Sequence, residues 1–326
     1  MTSSSRASGR WRKAAGLSSV STLSPAAFRR VARFAAGVLL VIVPSGATVR
    51  LTGSGLGCPS VTVDFSACVR AYGARDYHAK IEYFNRGASG LTVLVLLALA
   101  VAAWRTEGLG RRAKLLAAGA FVATLGQGPL GAVTVHYDLN PYLVISHLLL
   151  ALVALGLGAL VLLEADRVVV GGGAPLPRPA RLGGAALLAA VTVLVVSGTV
   201  STAAGRFPGS SGSTVVRRLW DFHSAVYWHV RAVVVFGVVF IALAAWAWQR
   251  RERFPWLVRG CAGLLALLLA QMAMGEVQYR TYGTVPWGVV AVHVALAGAL
   301  FGGTVGLVAR LWCPVGSQLD SAGCRS

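Results

Sequence analysis

The chain has 326 residues, of which 56% are hydrophobic and only 13% are charged. A soluble domain carries about 25% charged residues, so this composition excludes an ordinary soluble enzyme and indicates a polytopic membrane protein. The formal net charge of +19 does not indicate nucleic-acid binding, because no basic run is interleaved with aromatic residues and basic loops commonly set the orientation of membrane proteins.

Eight apolar stretches are each long enough to cross a bilayer core of about 30 Å, which requires about 20 helical residues. An even number of spans places both termini on one side of the membrane. Most Lys and Arg residues lie in the two tails and in the loops after even-numbered spans, and cytoplasmic loops carry the positive excess. We therefore predict an all-α integral protein of the cell membrane with both termini in the cytoplasm. The predicted spans are 28–50, 78–104, 112–135, 141–164, 182–204, 219–248, 256–280 and 286–311.

The second half of the chain repeats the first. Gln127 and Gly131 in span 3 have counterparts at the same spacing, Gln271 and Gly275, in span 7. Since four spans return the chain to its starting side, the halves run in the same direction, and an axis along the membrane normal is expected to relate them. The sequence therefore predicts two pseudo-symmetric four-helix bundles. The predicted parts are a disordered cytoplasmic tail (1–27), a first half (28–169), a cytoplasmic linker (170–181), a second half (182–312) and a cytoplasmic tail (313–326).

Four polar side chains lie at a similar depth below the outer ends of even-numbered spans. We interpret Asn85 with His147 as one pair, and His223 with His293 as its counterpart in the second half. Two imidazoles on facing helices of a bundle suit axial ligation of a haem iron. A proton relay, or hydrogen bonds from the histidines to backbone carbonyls, are the alternatives. His229 points away from His223 and is interpreted as a helix-contact residue.

The two pairs differ in chemistry. An amide is a poor iron ligand, so Asn85 leaves His147 as the strong ligand of the first half, which suits a haem that reacts or exchanges. Two histidines suit an electron-transfer centre. Glu82 lies one helical turn before Asn85 and has no acidic counterpart in the second half. It is either a proton acceptor or a residue near a helix N-terminus that pairs with Lys80 or Arg86.

Two cysteines, Cys58 and Cys68, lie in the predicted outer loop 51–77. Oxidising conditions outside the cytoplasm permit a disulfide there. We predict a bridge that stiffens the loop over a site, and two unpaired thiols are the alternative.

Five motifs occur in order along the chain: VRLTGSGLGCP, EYFNR, GAVTVHYDLNPYLVISH, DFHSA and GEVQYRTYGTVPWGVVAVHVALAGA. Together they resemble the heme A synthase family in its actinobacterial form, over roughly residues 33–310. The resemblance implies an eight-helix protein with two similar halves that oxidises the C8 methyl group of heme O to a formyl group. The product, heme A, goes to cytochrome c oxidase. The resemblance also implies a haem b cofactor in the C-terminal half and the substrate haem in the N-terminal half.

The same resemblance implies residue roles. His223 and His293 would be the axial ligands of the haem b iron, with His229 as a minor alternative to His223. His147 would hold the substrate haem beside Asn85, where many family members have a histidine. The remaining roles are Glu82 as the acidic residue essential to the oxidation, Cys58 and Cys68 as the disulfide, and Arg86, Arg217, Arg218 and Arg231 as candidates for the haem propionates.

The sequence therefore predicts a membrane oxidoreductase of haem biosynthesis that acts on heme O. Candidate partners are heme O synthase, an electron-transfer protein and a second copy of the chain, and nucleic acid is excluded. The first alternative is a b-type electron carrier, which would have no use for Glu82. The second is a proton-coupled transporter, which would hold no haem.

Overall fold

The computed structural model describes residues 22–58, 66, 77–210 and 218–316. Within these ranges the chain forms eight α-helices and isolated β-bridges only. Each helix is long and apolar enough to cross a membrane, which confirms the predicted all-α membrane fold. In chain order the helices are α1 (Pro25–Leu51), α2 (Tyr77–Arg105), α3 (Arg111–His136), α4 (Pro141–Val170), α5 (Arg178–Ala204), α6 (Phe222–Trp248), α7 (Pro255–Arg280) and α8 (Trp287–Trp312).

The helix ends lie within a few residues of the predicted spans, and side-chain caps explain two of them. Ser24 accepts a hydrogen bond from the Ala27 N–H at 3.3 Å, so α1 begins at Pro25 and residues 25–27 belong to this helix rather than to a tail. Asp221 accepts from the Ser224 N–H at 2.8 Å, so α6 begins at Phe222. This hydrogen bond lowers the pKa of Asp221, which keeps the cap charged at neutral pH.

Two groups of helices pack around a central contact. Helices α1–α4 contact one another, as do α5–α8, and α4 packs against α8 between the two groups. Leu155 of α4 lies over Gly302 of α8, where an added Cβ would be 3.6–3.8 Å from three Leu155 atoms. The groups also meet through α1 with α8 and through α4 with α5. These are the contacts that a parallel repeat predicts, and the division into two halves (first half α1–α4, second half α5–α8) stays a prediction that they support.

Short segments connect the two halves on both sides. On the side where α1 and α5 end, Ser54 pairs with Ser210 in an antiparallel bridge, and the Gly55 N–H donates to the Gly209 carbonyl at 2.7 Å. The segments after α1 and α5, which occupy equivalent positions in the predicted repeat, therefore contact each other.

On the opposite side, the linker between α4 and α5 lies against the end of α8. The Leu176 N–H donates to the Leu311 carbonyl at 2.9 Å, and the Gly173 N–H donates to the Pro314 carbonyl at 3.1 Å. The predicted linker and the start of the predicted C-terminal tail thus contact each other. Most of both predicted tails, residues 1–21 and 317–326, lies outside the described residues.

Candidate functional site: paired histidines and a cavity in the second half

A cavity of about 760 Å³ lies among the helices of the second half. Cofactor pockets span about 300–1,000 Å³ and are lined mainly by apolar side chains with a few polar groups, and this cavity fits that description. Helices α6 and α7 touch only sparsely, so the cavity separates them. Three histidines line it: His223 and His229 of α6, and His293 of α8.

His229 is held in one orientation by a serine of α5. Its Nδ1 lies 3.0 Å from Ser197 Oγ, and the Ser197 hydroxyl donates to the Leu194 carbonyl at 2.9 Å. The serine oxygen therefore accepts from the His229 Nδ1–H, which leaves the lone pair on Nε2. Metal-bound histidines commonly have this arrangement, in which a neighbour fixes the ring through the nitrogen that does not bind the metal.

His293 enters the same cavity from α8. A Cβ placed on Gly275 of α7 would lie 3.4 Å from its Cε1, so the imidazole rests on the helix surface where a side chain is missing. His293 Nδ1 and Gln271 Oε1 are both buried without a hydrogen-bond partner. Unpartnered buried polar atoms are costly. His293 and Gln271 both line the cavity, so these unpartnered atoms belong to residues of its wall.

His223 lies elsewhere on α6. It is the second residue of the helix and is exposed. Its ring makes edge contacts with Tyr279 and Tyr282 of α7, each with a centroid distance of 6.3 Å. His223 therefore lines the cavity near the N-terminus of α6, one and a half turns before His229.

The first half carries a matching set of residues. Ser45 Oγ of α1 donates to Asn85 Oδ1 of α2 at 2.9 Å, and Gln127 Nε2 of α3 donates to the His147 carbonyl of α4 at 3.2 Å. A Cβ on Gly131 would lie 3.4 Å from His147 Cε1. Gln127 Oε1 and His147 Nδ1 are buried without partners, as their counterparts Gln271 and His293 are.

These contacts correct one expected correspondence between the halves. Ser45 contacts Asn85 in the way that Ser197 contacts His229, so the counterpart of Asn85 is His229 and not His223. Asn85 and His229 are also the same number of residues apart as Gln127 and Gln271. The predicted correspondence between Asn85 and His223 is therefore wrong, although this constant spacing could have revealed the right one.

Glu82 is 4% exposed, and both of its carboxylate oxygens have partners. The Cys58 N–H donates to Oε2 at 2.7 Å, and Arg86 donates to Oε1 at 2.5 Å. The expected pairing with Arg86 is thus present. The carboxylate also fastens the segment after α1 to the first turns of α2. Cys68, the predicted disulfide partner of Cys58, lies outside the described residues.

The predicted propionate-binding arginines are distributed unevenly. Arg231 lines the cavity, and its guanidinium lies 3.2 Å from the centroid of the Tyr227 ring. Arg218 donates to the Gly205 carbonyl at 2.9 Å, at the C-terminal end of α5. Arg217 lies outside the described residues. Arg206 lines the cavity and was not predicted, because its position after α5 gave no sign of where its side chain lies.

Comparisons with known proteins match the chain to one family model and to several heme A synthases. A family model described as "Cytochrome oxidase assembly protein" matches residues 73–207. A heme A synthase of Geobacillus kaustophilus is 27% identical over 275 residues, which cover 81% of this chain and 83% of that protein. The heme A synthases of Bacillus pumilus and Alkalihalophilus pseudofirmus are 31% and 34% identical over 40% and 39% of this chain, and over 43% and 41% of their own lengths.

The chain is similar to heme A synthases, in one case over most of its length. The stretch that the family model matches contains Glu82, Asn85 and His147. Similarity to heme A synthases agrees with a multi-pass membrane protein, as the eight apolar helices indicate. The ligand roles of individual residues stay predictions.

Proposed function

We propose that this protein is a heme A synthase that oxidises the C8 methyl group of heme O to the formyl group of heme A. The observation that carries the proposal is that His229 and His293 both line a cavity of cofactor size, in a chain whose curated relatives are heme A synthases.

We propose that haem b is held in the second half by His229 and His293, in place of the predicted pair His223 and His293. Two features support this choice. The Ser197 hydroxyl leaves His229 Nε2 free for a metal, and His293 lies beside Gln271 with a buried Nδ1 that lacks a partner. Arg206 and Arg231, which line the same cavity, supply positive charge for the propionates. A haem bound by two imidazoles transfers electrons, which is the chemistry it would supply here.

We propose that the substrate haem lies in the first half between α2 and α4. His147 is its strong ligand, and Asn85 is the residue that faces the other side of the macrocycle. Arg86 is the nearest cation to Glu82 and is the candidate for a propionate. The shared arrangement of Gln127 with His147 and Gln271 with His293 supports this placement, because the two halves then hold their haems in the same way.

Converting a methyl group to a formyl group replaces C–H bonds by a C=O bond. When the new oxygen atom comes from water, the substrate and the water together lose four protons and four electrons, and the electrons would pass to the electron-transfer partner proposed below. We propose that Glu82 accepts a proton from the methyl carbon or stabilises the positive charge that develops there. To accept a proton, the carboxylate must exchange its bond with Arg86 or with the Cys58 N–H.

We propose that the protein lies in the cell membrane with both termini in the cytoplasm. The concentration of Lys and Arg in the tails and in the loops after even-numbered helices supports this orientation. Heme O synthase and an electron-transfer protein are the proposed partners. The comparisons do not support a simple electron carrier or a transporter.

Expression in cells that make heme O tests the function. Non-covalent haems are extracted from the purified protein and the membranes, and are identified by chromatography and mass. We expect heme A to appear only when the protein is present. If heme O remained unconverted while folded protein with haem b accumulated, the assignment would be wrong.

A further inference from the structure

The deep histidines share a packing feature, which is a glycine on the neighbouring helix. A Cβ on Gly131 would lie 3.4 Å from His147 Cε1, one on Gly275 would lie 3.4 Å from His293 Cε1, and one on Gly198 would lie 3.2 Å from His229 Cε1. Each imidazole therefore lies against bare backbone. Such a glycine makes room for a ring beside the helix, because a Cβ at Gly198 would already be tighter than an ordinary contact and a Cβ at Gly131 or Gly275 would touch the ring.

The fourth such position, beside Asn85, has the glycine but no imidazole ring. Gly46 follows Ser45 on α1 as Gly198 follows Ser197 on α5. A Cβ on Gly46 would meet no atom within 4 Å, because the shorter Asn85 stands where the second half has His229. The space that a ring occupies in the second half is thus free beside Asn85.

No side chain of α1 can serve as an iron ligand beside Asn85. Helix α1 contains no histidine, cysteine, methionine or tyrosine. On α2, His78 lies about two turns before Asn85 and is hydrogen-bonded to Ser54 at 3.1 Å. The Asn85 carbonyl oxygen is taken by Ser45, so the amide nitrogen is the group left to contact a ligand. An amide N–H donates hydrogen bonds and does not bind iron.

We propose that the substrate iron is bound by one protein ligand, His147, and that its position facing Asn85 is open to a small exogenous ligand. The ligand would occupy the free space beside Gly46, which we name the Gly46 slot, and would accept a hydrogen bond from the Asn85 amide. This inference rests on the proposed function, since it concerns the same haem. The two halves would then differ in iron coordination. Two imidazoles would leave the haem b iron no free position, whereas the substrate iron could bind a small molecule from solution.

The test uses the full-length protein purified from cells that make heme O, with imidazole and cyanide as probes. Electron paramagnetic resonance and absorption spectra of the oxidised protein report the spin state. We expect wild-type protein to show a high-spin haem besides low-spin haem b, and the high-spin signal to convert to low spin when imidazole or cyanide is added. In Asn85→His we expect a low-spin signal without any addition and at least a tenfold weaker response to imidazole.

A second variant keeps the test independent of whether Asn85→His folds. Gly46→Leu fills the Gly46 slot, so we expect it to lose imidazole binding at least tenfold while the smaller cyanide still binds. In the second half, His229→Asn should convert haem b into a high-spin haem that binds imidazole, which reproduces the first-half arrangement.

The outcomes separate this inference from the proposed function. Wild-type protein that makes heme A but shows only low-spin haem, unresponsive to either probe, would overturn the inference alone. Unchanged imidazole binding in both Asn85→His and Gly46→Leu would also overturn it. If the protein neither bound a second haem nor made heme A, the proposed function itself would fail.

Discussion

At the residue scale, two histidines six positions apart on α6 have different surroundings. His229 is oriented by Ser197, whereas His223 contacts two tyrosine rings near the start of the helix. We expect His229→Ala to abolish the low-spin haem b spectrum, since a buried ligand is lost, and His223→Ala to retain it. Absorption spectra and the haem content of the two purified variants check this. The opposite result would restore His223 as the ligand.

Glu82 combines a structural contact with a proposed chemical role, and one substitution separates them. Glutamine in Glu82→Gln can still accept from the Cys58 N–H but cannot take up a proton. We expect heme A formation to fall about 100-fold or more while the haem b spectrum is unchanged. Lys80→Gln, an exposed change two residues away, is the control and should leave both unchanged. Normal heme A levels in Glu82→Gln would limit Glu82 to fastening the segment after α1.

At the element scale, the glycines on the faces of α1 and α5 govern how closely a neighbouring ring can approach. In Gly198→Ala the new Cβ would lie 3.2 Å from His229 Cε1, so the imidazole must shift by a few tenths of an ångström. We expect a several-fold lower ratio of haem b to protein after purification. Its counterpart Gly46→Ala meets nothing within 4 Å and should leave that ratio unchanged. Equal ratios in the two variants would contradict the proposed ring position.

The elements themselves were predictable, and one register was not. Hydropathy located all eight helices because a bilayer core demands about 20 apolar residues whatever the fold. The predicted alignment of α6 with α2 was wrong because the loops before these helices differ in sequence and length. The motif DFHSA also places a histidine, His223, near the start of α6. The serine contacts to Asn85 and His229 decided the matter, and hydrogen bonds between helices cannot be read from hydropathy.

The residues that surround the site histidines also could not be predicted from the sequence. Gln127 and Gln271 were recognised as a repeat, but their position beside His147 and His293 depends on how α3 packs on α4 and α7 on α8. The position of Arg206 depends on packing for a similar reason, since its side chain donates to the Gly283 carbonyl in the loop between α7 and α8.

At the scale of the whole molecule, the packing of α4 on α8 holds the two halves together. In Gly302→Leu the first added carbon, Cβ, would already lie 3.6–3.8 Å from Leu155 atoms. The rest of the leucine side chain would then have no room beside Leu155. We expect the free energy of unfolding to fall by about 1–3 kcal/mol, as for overpacked cores. Thermal unfolding in detergent measures this. Gly306→Leu, one turn further along α8 with nothing within 4 Å, is the matched control and should not lower the melting temperature.

The contact of α4 with α8 also bears on how the two sites came to differ. Each is the last helix of its predicted half, and the two helices pack against each other. A single four-helix chain with this surface would assemble as a symmetric homodimer, in which every substitution appears twice. Both haem positions would then carry asparagine, or both histidine. If the halves arose by duplication and fusion of one gene, that constraint would be lifted, and one copy could specialise in relaying electrons while its twin kept the coordination vacancy that we propose.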